Sequence, residues 1–307
     1  MNSSTHLVHS TAAIALLILT LLLGNQIASA QANKLELNDT LKKAGTTGVI
    51  SVGYREFSVP FSFLSTRNEP IGYSIDLCRS IVDAISKKVG RELTIKWERV
   101  TSETRMDAVL SGQVDLECGS TTNNAERSKR LAFSPIIFVA GTKLMVKRSS
   151  SIKTFRDLSN KVVVVTAGTT NEKAMHDLRD KFRLNYAIVA GHDHEESYDL
   201  LIHGEADAFA TDNVLLNGLI AKNKLNKDYL VTGDFLSYDP YGIMYRKNDP
   251  ALKRLVETTF YAMAEERELD RVYDKWFMRR LPSGDSIDLP MSPHLETIFR
   301  SMGTKPE

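Results

Sequence analysis

Residues 115–134 read DLECGSTTNNAERSKRLAFS, and they combine a strand, a sharp turn and a polar segment. The stretch begins as a short apolar strand that breaks at Gly119, and three consecutive hydroxyl side chains follow, Ser120, Thr121 and Thr122. We predict that a helix comes next and carries Arg127 in its first turns. This order of strand, turn and helix start is typical of an α/β unit that binds a ligand at its turn.

The start of this predicted helix has the composition of an anion site. Asn123 and Glu126 are three residues apart, which is the spacing of a capping box. The free N–H groups of a helix start, the hydroxyls and the guanidinium of Arg127 would all stabilise a carboxylate. A capped helix with a solvated surface arginine is the alternative interpretation.

Length and charge limit the class of protein. The chain has 307 residues, of which 42% are hydrophobic and 25% charged, as expected for a globular protein with room for two lobes. The formal net charge is only +1, whereas nucleic-acid-binding proteins usually carry a basic excess. We therefore expect no nucleic-acid partner.

The first thirty residues have the pattern of a secretory signal. Residues 1–30 contain no Lys, Arg, Asp or Glu, and an apolar run at 12–23 ends before the small residues Ala28, Ser29 and Ala30. The run is shorter than the ~20 residues that span a bilayer, so a permanent anchor is the weaker alternative. The absence of Lys or Arg before the run is unusual for a signal. We predict cleavage after Ala30 and export of the mature chain.

The chain has two cysteines, Cys78 and Cys118, too few for a disulfide scaffold. An oxidising compartment would allow them to pair, but sequence alone does not place their Cα atoms within bridging reach. Of the two possibilities we favour two buried thiols over a bridge.

The first half of the chain alternates predicted strands and helices. Strands are predicted at residues 49–52 and 93–99, and Arg55 directly follows the first of them. A cap at residues 101–102 begins a helix with Arg105 in its first turn. Positions just beyond strand ends are where open α/β sheets bind ligands.

The second half repeats this organisation. Residues 161–178 form a β-branched strand, a Gly-Thr-Thr turn and an amphipathic helix, with Thr169 and Glu172 as a possible capping box. Residues 201–212 repeat the pattern of residues 110–121, in which a glycine-capped helix precedes a strand with a polar end. We therefore predict an α/β protein of two lobes with mainly parallel sheets that share one cleft.

The end of the chain closes the fold. Two helices are predicted between residues 251 and 277, and residues 282–284 end the regular structure. An apolar pattern at residues 295–302 is compatible with a packed closing helix or with a loose tail.

With these residues in view, the chain resembles the periplasmic substrate-binding proteins of polar amino-acid ABC transporters (family 3), and within them the glutamate/aspartate-binding proteins. The resemblance extends over nearly the whole mature chain. It includes the segments VISVGYREFSVPFSF (49–63), DLECGSTTNNAERSKRLAF (115–133), VVVVTAGTTNE (162–172), AFATDNVLL (208–216) and YGIMYRKNDP (241–250).

The resemblance implies a two-lobed periplasmic binding protein type II fold with a hinge and an interlobe cleft. Lobe 1 would contain residues 31–138 and 243–282, lobe 2 residues 139–242, and a tail residues 283–307. We expect a monomer that closes about strands near residues 136–141 and 236–242, binds L-glutamate or L-aspartate, and delivers it to a membrane permease.

The resemblance also implies the ligand contacts. The α-carboxylate would bind Arg127, Ser120 and Thr122 of lobe 1 and Thr170 at the second helix start. Asp212 would bind the α-ammonium.

The side-chain carboxylate of an acidic ligand would bind a second cationic cluster. Its positions hold Arg55, Ser102, Arg105 and His194. An isolated arginine at a helix start is usually a solvated charge, so a ligand site requires that all these groups converge on one cleft.

Other functions have weaker support in the sequence. Residues 192–196 contain two histidines and two glutamates, but no third cluster completes a metal site. The turn at residues 168–170 lacks the lysine of a nucleotide loop, so we expect no cofactor. An enzyme of the same fold, such as a dehydratase, would need a positioned acid or base, for which Glu117 and Glu56 are the nearest candidates. A ligand-sensing receptor component is the other alternative.

Overall fold

The computed structural model describes residues 39–282 and 284–304, so the predicted signal at residues 1–30 lies outside the described residues. The described chain forms fifteen short strands. They are β1 Val49–Tyr54, β2 Phe57–Ser58, β3 Ser62–Leu64, β4 Pro70–Ile71, β5 Thr94–Arg99, β6 Leu116–Glu117, β7 Leu131–Phe133, β8 Phe138–Ala140, β9 Thr142–Lys147, β10 Val162–Thr166, β11 Ala187–Gly191, β12 Ala208–Asp212, β13 Tyr229–Thr232, β14 Asp239–Tyr241 and β15 Met244–Arg246.

Helices connect most of these strands. They are α1 Thr40–Thr47, α2 Tyr73–Val89, α3 Arg105–Ser111, α4 Thr170–Phe182, α5 His194–Ile202, α6 Asn213–Lys222, α7 Pro250–Glu265, α8 Glu268–Tyr273 and α9 Pro293–Gly303. Short 3₁₀ turns lie at Arg127–Lys129 and Phe155–Leu158, and a wide π-type turn at Asp274–Met278 follows α8. Within residues 39–282 and 284–304, none of the helices has the length and apolar character needed to cross a bilayer.

Two five-stranded sheets form the frame of the molecule. The first has the order β5-β1-β6-β15-β7, and the second has the order β11-β10-β12-β9-β13. We call the sheets with their packed helices the first and second lobes. The apolar run of β10 is explained by its place as an interior strand, because Val163 and Val165 pack on one face of the second sheet and Val164 on the other.

The prediction of mainly parallel sheets is correct for only half of each sheet. In the first sheet β1 pairs in parallel with β5 and β6, whereas β15 runs antiparallel to β6 and β7. In the second sheet β10 pairs in parallel with β11 and β12, whereas β9 runs antiparallel to β12 and β13. The reason lies in the connections, since β9 and β15 each directly follow a strand that crosses between the lobes and so enter their sheets from the cleft side.

The crossing strands β8 and β14 pair with each other and with neither large sheet. Their antiparallel register joins Ala140 to Asp239 and Phe138 to Tyr241. Gly141 follows β8 at a close approach, because a Cβ there would lie 2.3 Å from the carbonyl oxygen of Ser237. Both strands fall within the segments predicted as a hinge; hinge motion and the predicted lobe boundaries stay predictions.

An aromatic cluster attaches the crossing strands to the first lobe. Phe61 makes edge-to-face contacts with Phe138 and Tyr241, each with ring centroids 5.1 Å apart. Phe138 also stacks on Phe277, with centroids 5.0 Å apart, and Phe277 contacts Tyr73 of α2. Such pairs contribute about 0.5–1.5 kcal/mol each beyond the area they bury. The crossing strands are therefore anchored on the first-lobe side.

The tail forms a packed helix. Helix α9 buries Leu295 and Phe299, and its Gly303 lies against the backbone of Ala264 in α7, 3.3 Å from where a Cβ would stand. Of the two possibilities that the sequence left open, the packed helix is the one observed.

The expectation of two buried thiols is wrong, because Cys78 and Cys118 form a disulfide. Cys78 lies on the buried face of α2 and Cys118 directly follows β6, and both belong to the same buried apolar cluster. Their Cα atoms are 6.3 Å apart, within the usual bridging range. The pairing depends on how α2 docks on the sheet, which the local sequence pattern does not contain.

Removing this bridge should destabilise the protein. The cysteines are 40 residues apart. Closing a loop of that length restricts the unfolded chain, which stabilises the folded protein by about 2–4 kcal/mol. The double variant Cys78→Ala/Cys118→Ala should lose about this much free energy of unfolding in urea. Two titratable thiols in the unreduced, denatured wild-type protein would contradict the bridge.

Candidate functional site

The strand ends of both lobes face a small shared cavity. Its walls contain almost only polar side chains. They are Ser102, Arg105, Ser120, Thr122, Thr169, Thr170, Asn171, His194, Asp212 and Leu215. Seven of the nine predicted ligand residues are among them. The other two, Arg55 and Arg127, lie directly behind Ser102 and beside Thr122.

Arg55 and Arg105 form the cationic end of the cavity. Arg55 follows β1 and donates from Nη2 to Ser102 Oγ at 2.8 Å, whereas Arg105 begins α3 and donates from Nη1 to Thr121 Oγ1 at 2.8 Å. Both residues are only 2% exposed. Arg55 Nη1 and Arg105 Nε have no hydrogen-bond partner in the described part of the chain. Buried donors of this kind are costly unless an acceptor binds them.

Burial also lowers the pKa values of these two arginines. Desolvation, followed by repulsion from Arg105, lowers the pKa of Arg55 to about 9. Desolvation likewise lowers the pKa of Arg105. Both shifts mean that burial disfavours the charged form of these guanidiniums. An anion that enters the cavity would therefore stabilise their charge.

His194 stands at the same end as a neutral imidazole. It begins α5, and its Nδ1 and the Oγ1 of Thr166 share a hydrogen bond at 2.8 Å; Thr166 in turn contacts Ser197 Oγ at 2.8 Å. Desolvation, followed by repulsion from Arg55 and Arg105, holds the pKa of His194 well below its ordinary value. A neutral ring offers hydrogen bonding without adding a further charge.

The predicted cap at residues 101–102 is wrong in detail. Helix α3 begins at Arg105, and Thr104 is the residue before it. Thr101 and Thr104 hold the turn through reciprocal hydrogen bonds of 2.9 and 3.2 Å between their hydroxyls and backbone N–H groups. Ser102 is therefore free of a capping role, and its hydroxyl turns to Arg55.

The helix predicted after residue 122 is also wrong, because only one 3₁₀ turn forms, Arg127–Lys129. Asn124 Oδ1 accepts from Arg127 N at 2.9 Å, and Asn123 Oδ1 accepts from Ser128 Oγ at 2.7 Å. These local bonds replace the predicted capping box and favour a tight turn over a helix.

Arg127 is the first residue of this 3₁₀ turn. Its Nη1 donates to the carbonyl oxygen of Thr122 at 3.0 Å, which holds the guanidinium beside the hydroxyl-rich turn. Desolvation, followed by repulsion from Arg105, lowers the pKa of Arg127 to about 10. The placement depends on the turn after β6 and not on a helix.

The second lobe presents a true helix start at the cavity. Thr169 Oγ1 caps α4 by accepting from Glu172 N at 3.1 Å, as predicted, while the Glu172 carboxylate accepts from Gly168 N at 2.9 Å. Thr170, the first helical residue, approaches Thr122 of the first lobe with hydroxyl oxygens 3.2 Å apart. The two lobes therefore meet at this end of the cavity.

Asp212, the last residue of β12, provides a buried carboxylate on the second lobe. Its Oδ1 accepts from Asn171 Nδ2 at 3.0 Å, and its Oδ2 accepts from the hydroxyl of Tyr241 on the crossing strand β14. Desolvation, followed by repulsion from the nearby carboxylate of Asp239, raises the pKa of Asp212 to about 7. A ligand cation placed here would favour the ionised form.

Sequence reasoning missed several polar residues that hold the site. Asn171 bridges Asp212 and Thr142, and Asp239 Oδ1 accepts from Thr122 Oγ1 at 3.1 Å. Tyr241 reaches Asp212 only because the crossing strand returns through the cleft. Asn171 directly follows the predicted Thr170 in the first turn of α4. Its polar side chain at that position was the sequence feature that could have indicated a place in the site.

The histidine pair does not form a metal site. His192 is exposed and its Nδ1 lies 3.9 Å from Glu103 Oε2, whereas His194 is buried in the cavity. Among residues 39–282 and 284–304, no group of three or more His, Cys, Asp and Glu side chains is placed to hold an ion.

Residues 50–279 match the family model of the bacterial extracellular solute-binding proteins, family 3. The chain belongs to this family. The L-glutamate/L-aspartate-binding protein of Pseudomonas aeruginosa is 42% identical over 269 residues, which are 87% of this chain and 89% of that protein. The glutamate/aspartate import solute-binding protein of Escherichia coli (strain K12) is 38% identical over 290 residues, 94% of this chain and 96% of the relative.

Solved structures agree with this family assignment. The P235GK mutant of ArgBP from T. maritima superposes with a TM-score of 0.69 at 26% identity, covering 78% of this chain and all of that one. The predicted type II periplasmic binding protein fold of this family 3 member is therefore confirmed.

The raised pKa of Asp212 makes a stability prediction. The folded protein holds this proton up to about pH 7, whereas the unfolded chain releases it near pH 4, so Asp212 lowers stability as pH rises through this window. Asp212→Asn should raise the free energy of unfolding of the ligand-free protein by about 1–4 kcal/mol at pH 8 and by much less at pH 4.5. Urea unfolding at both pH values would measure this, and an equal change at both would contradict it.

Proposed function

We propose that this family 3 protein binds L-glutamate or L-aspartate between its lobes and delivers it to the membrane subunits of an ABC transporter. The observation that carries the proposal is that a buried guanidinium, Arg105, and a buried carboxylate, Asp212, line one cavity, with two further buried guanidiniums directly behind and beside it. An α-amino dicarboxylate has the complementary set, two anionic groups and one cationic group.

The α-amino acid end would bind near the contact between the lobes. Arg127, Ser120 and Thr122 offer donors from the first lobe and Thr170 offers a hydroxyl and a helix start from the second. Asp212 would be the acceptor for the α-ammonium. Each charge-assisted bond contributes ~1.5–3 kcal/mol, so a few of them reach the about −8 kcal/mol of micromolar binding.

The side-chain carboxylate would bind at the cationic end. Among the residues that the structure describes, Arg55 Nη1 and Arg105 Nε are donors without a protein partner, and Ser102 and the neutral His194 lie beside them. Glutamine in the place of glutamate would leave this buried charge without its counter-charge. Losing one partner of such a pair costs more than the pair contributes, so the site should select acids over amides.

The names of the relatives support transport as the role. Both are named for glutamate and aspartate binding, and one for import. On this basis we infer export by the predicted signal, a periplasmic location, function as a monomer and capture by a permease. We infer no catalysis, since Glu117 bonds to Thr121 and Glu56 pairs with Arg99, which gives neither candidate a position in the cavity wall.

Ligand would favour the closed arrangement because its contacts come from both lobes. The first lobe contributes the arginines, while the second contributes Thr170, His194 and Asp212. A ligand shifts a conformational equilibrium only by its difference in affinity for the two states. Contacts divided between lobes provide that difference.

Isothermal titration calorimetry of the ligand-stripped protein tests the proposal. L-Glutamate and L-aspartate should bind with micromolar or tighter affinity, and L-glutamine and L-arginine at least about 100-fold more weakly. Tighter binding of the neutral or basic amino acid would contradict the proposed specificity.

Two variants should separate the roles of the arginines. Arg127→Ala should abolish binding of every amino acid, because each carries an α-carboxylate. Arg105→Ala should weaken the binding of L-glutamate by on the order of 100-fold or more but leave the weak binding of L-glutamine nearly unchanged. Arg254→Ala on the exposed surface of α7 is a matched control without effect. Equal losses for all ligands in both site variants would contradict this division.

A further inference from the structure

A buried carboxylate stands behind the cationic end of the cavity. Glu117 is the last residue of β6 and is fully buried, although it does not line the cavity itself. Its Oε2 accepts from Thr121 Oγ1 at 2.6 Å, and its Oε1 has no hydrogen-bond partner within the described ranges. A buried acid next to a site for an acidic ligand requires an explanation, since it repels the ligand's charge.

Glu117 is connected to Arg105 through one hydroxyl. Thr121 Oγ1 donates to Glu117 and accepts from Arg105 Nη1 at 2.8 Å. Because a hydroxyl has a single proton, these two bonds fix the orientation of the Thr121 O–H group. Its hydrogen points to the carboxylate, and an oxygen lone pair faces the guanidinium. The carboxylate thereby orients the arginine without touching it.

Glu117 also approaches Arg55. A Cβ on Gly119 would lie 2.4 Å from Glu117 Oε1 and 2.9 Å from Arg55 Cγ, so both side chains pass the same glycine. This close approach explains why the turn after β6 has glycine at that position. The carboxylate opposes the lowering of the pKa of Arg55, Arg105 and Arg127, which places all three guanidiniums within its field.

We propose that Glu117 is a specificity-determining positioning residue, which orients Arg105 through Thr121 and offsets part of the positive charge behind the cavity. This inference rests on the proposed binding of acidic amino acids. Uncompensated guanidiniums at this depth would bind an anion too tightly for release, whereas a fixed counter-charge moderates the attraction. Glu117 thus sets how strongly the site distinguishes a carboxylate from an amide.

The test compares L-glutamate with L-glutamine on a charge-neutral variant. Glu117→Gln keeps an oxygen that accepts from Thr121 but removes the negative charge. The dissociation constant for L-glutamate should fall by about 10-fold or more, and that for L-glutamine should change by less than about 3-fold, measured by titration and displacement calorimetry. The ratio of the two constants is the readout, because a merely structural defect would weaken both ligands in parallel.

Two further variants serve as controls. Glu117→Asp keeps the charge and should keep the wild-type ratio even where the absolute affinities fall. Glu92→Gln makes the same chemical change on an exposed residue just before β5, at the far end of the sheet from the cavity, and should change neither constant.

If Glu117→Gln fails to fold, Thr121→Val carries the test. This variant keeps the charge of Glu117 but removes the hydroxyl that connects it to Arg105. The affinity for L-glutamate should therefore fall by about 10-fold, while the affinity for L-glutamine falls little. Unchanged or parallel affinities in the folded Glu117→Gln or Thr121→Val protein would overturn this inference alone. Absence of L-glutamate binding by the wild-type protein would overturn the proposed function and this inference together.

Discussion

The cost of holding three guanidiniums away from water is the constraint on which the site depends. Arg55 and Arg105 are almost fully buried and retain N–H donors without partners in the described chain. Such charge is stable only where opposing groups are fixed nearby, and the structure provides Glu117 behind the arginines and Asp212 across the cleft. An anionic ligand would neutralise the positive charge that these two carboxylates leave uncompensated.

The fold keeps these groups in place by using strand ends. The parallel halves of both sheets end at the cavity, and the crossing strands return through it, so Tyr241 can donate to Asp212 while its ring packs on Phe61 of the first lobe. The disulfide at Cys118 lies next to Gly119, where Glu117 and Arg55 pass each other. Stability and site geometry therefore depend on the same turn.

Much of this arrangement could be predicted from the sequence, and the failures have two causes. The sequence pattern placed Arg55 just beyond a strand end, Arg105 at a helix start and Arg127 after the turn that follows β6, whereas the role of Asp212 came from the family resemblance. The 3₁₀ turn at Arg127 was missed because the side chains of Asn123 and Asn124 bond locally instead of capping a helix. The disulfide, the antiparallel halves of the sheets and the contact of Tyr241 all depend on how distant segments dock, which short-range patterns do not encode.

The central claim is that an acidic amino acid holds the lobes together through groups contributed by both. Small-angle X-ray scattering of the ligand-stripped protein tests it most directly, because closure makes the particle more compact. The radius of gyration should fall when L-glutamate is added to saturation and stay constant with L-arginine. An unchanged radius with L-glutamate bound, or an equal decrease with both amino acids, would contradict the account.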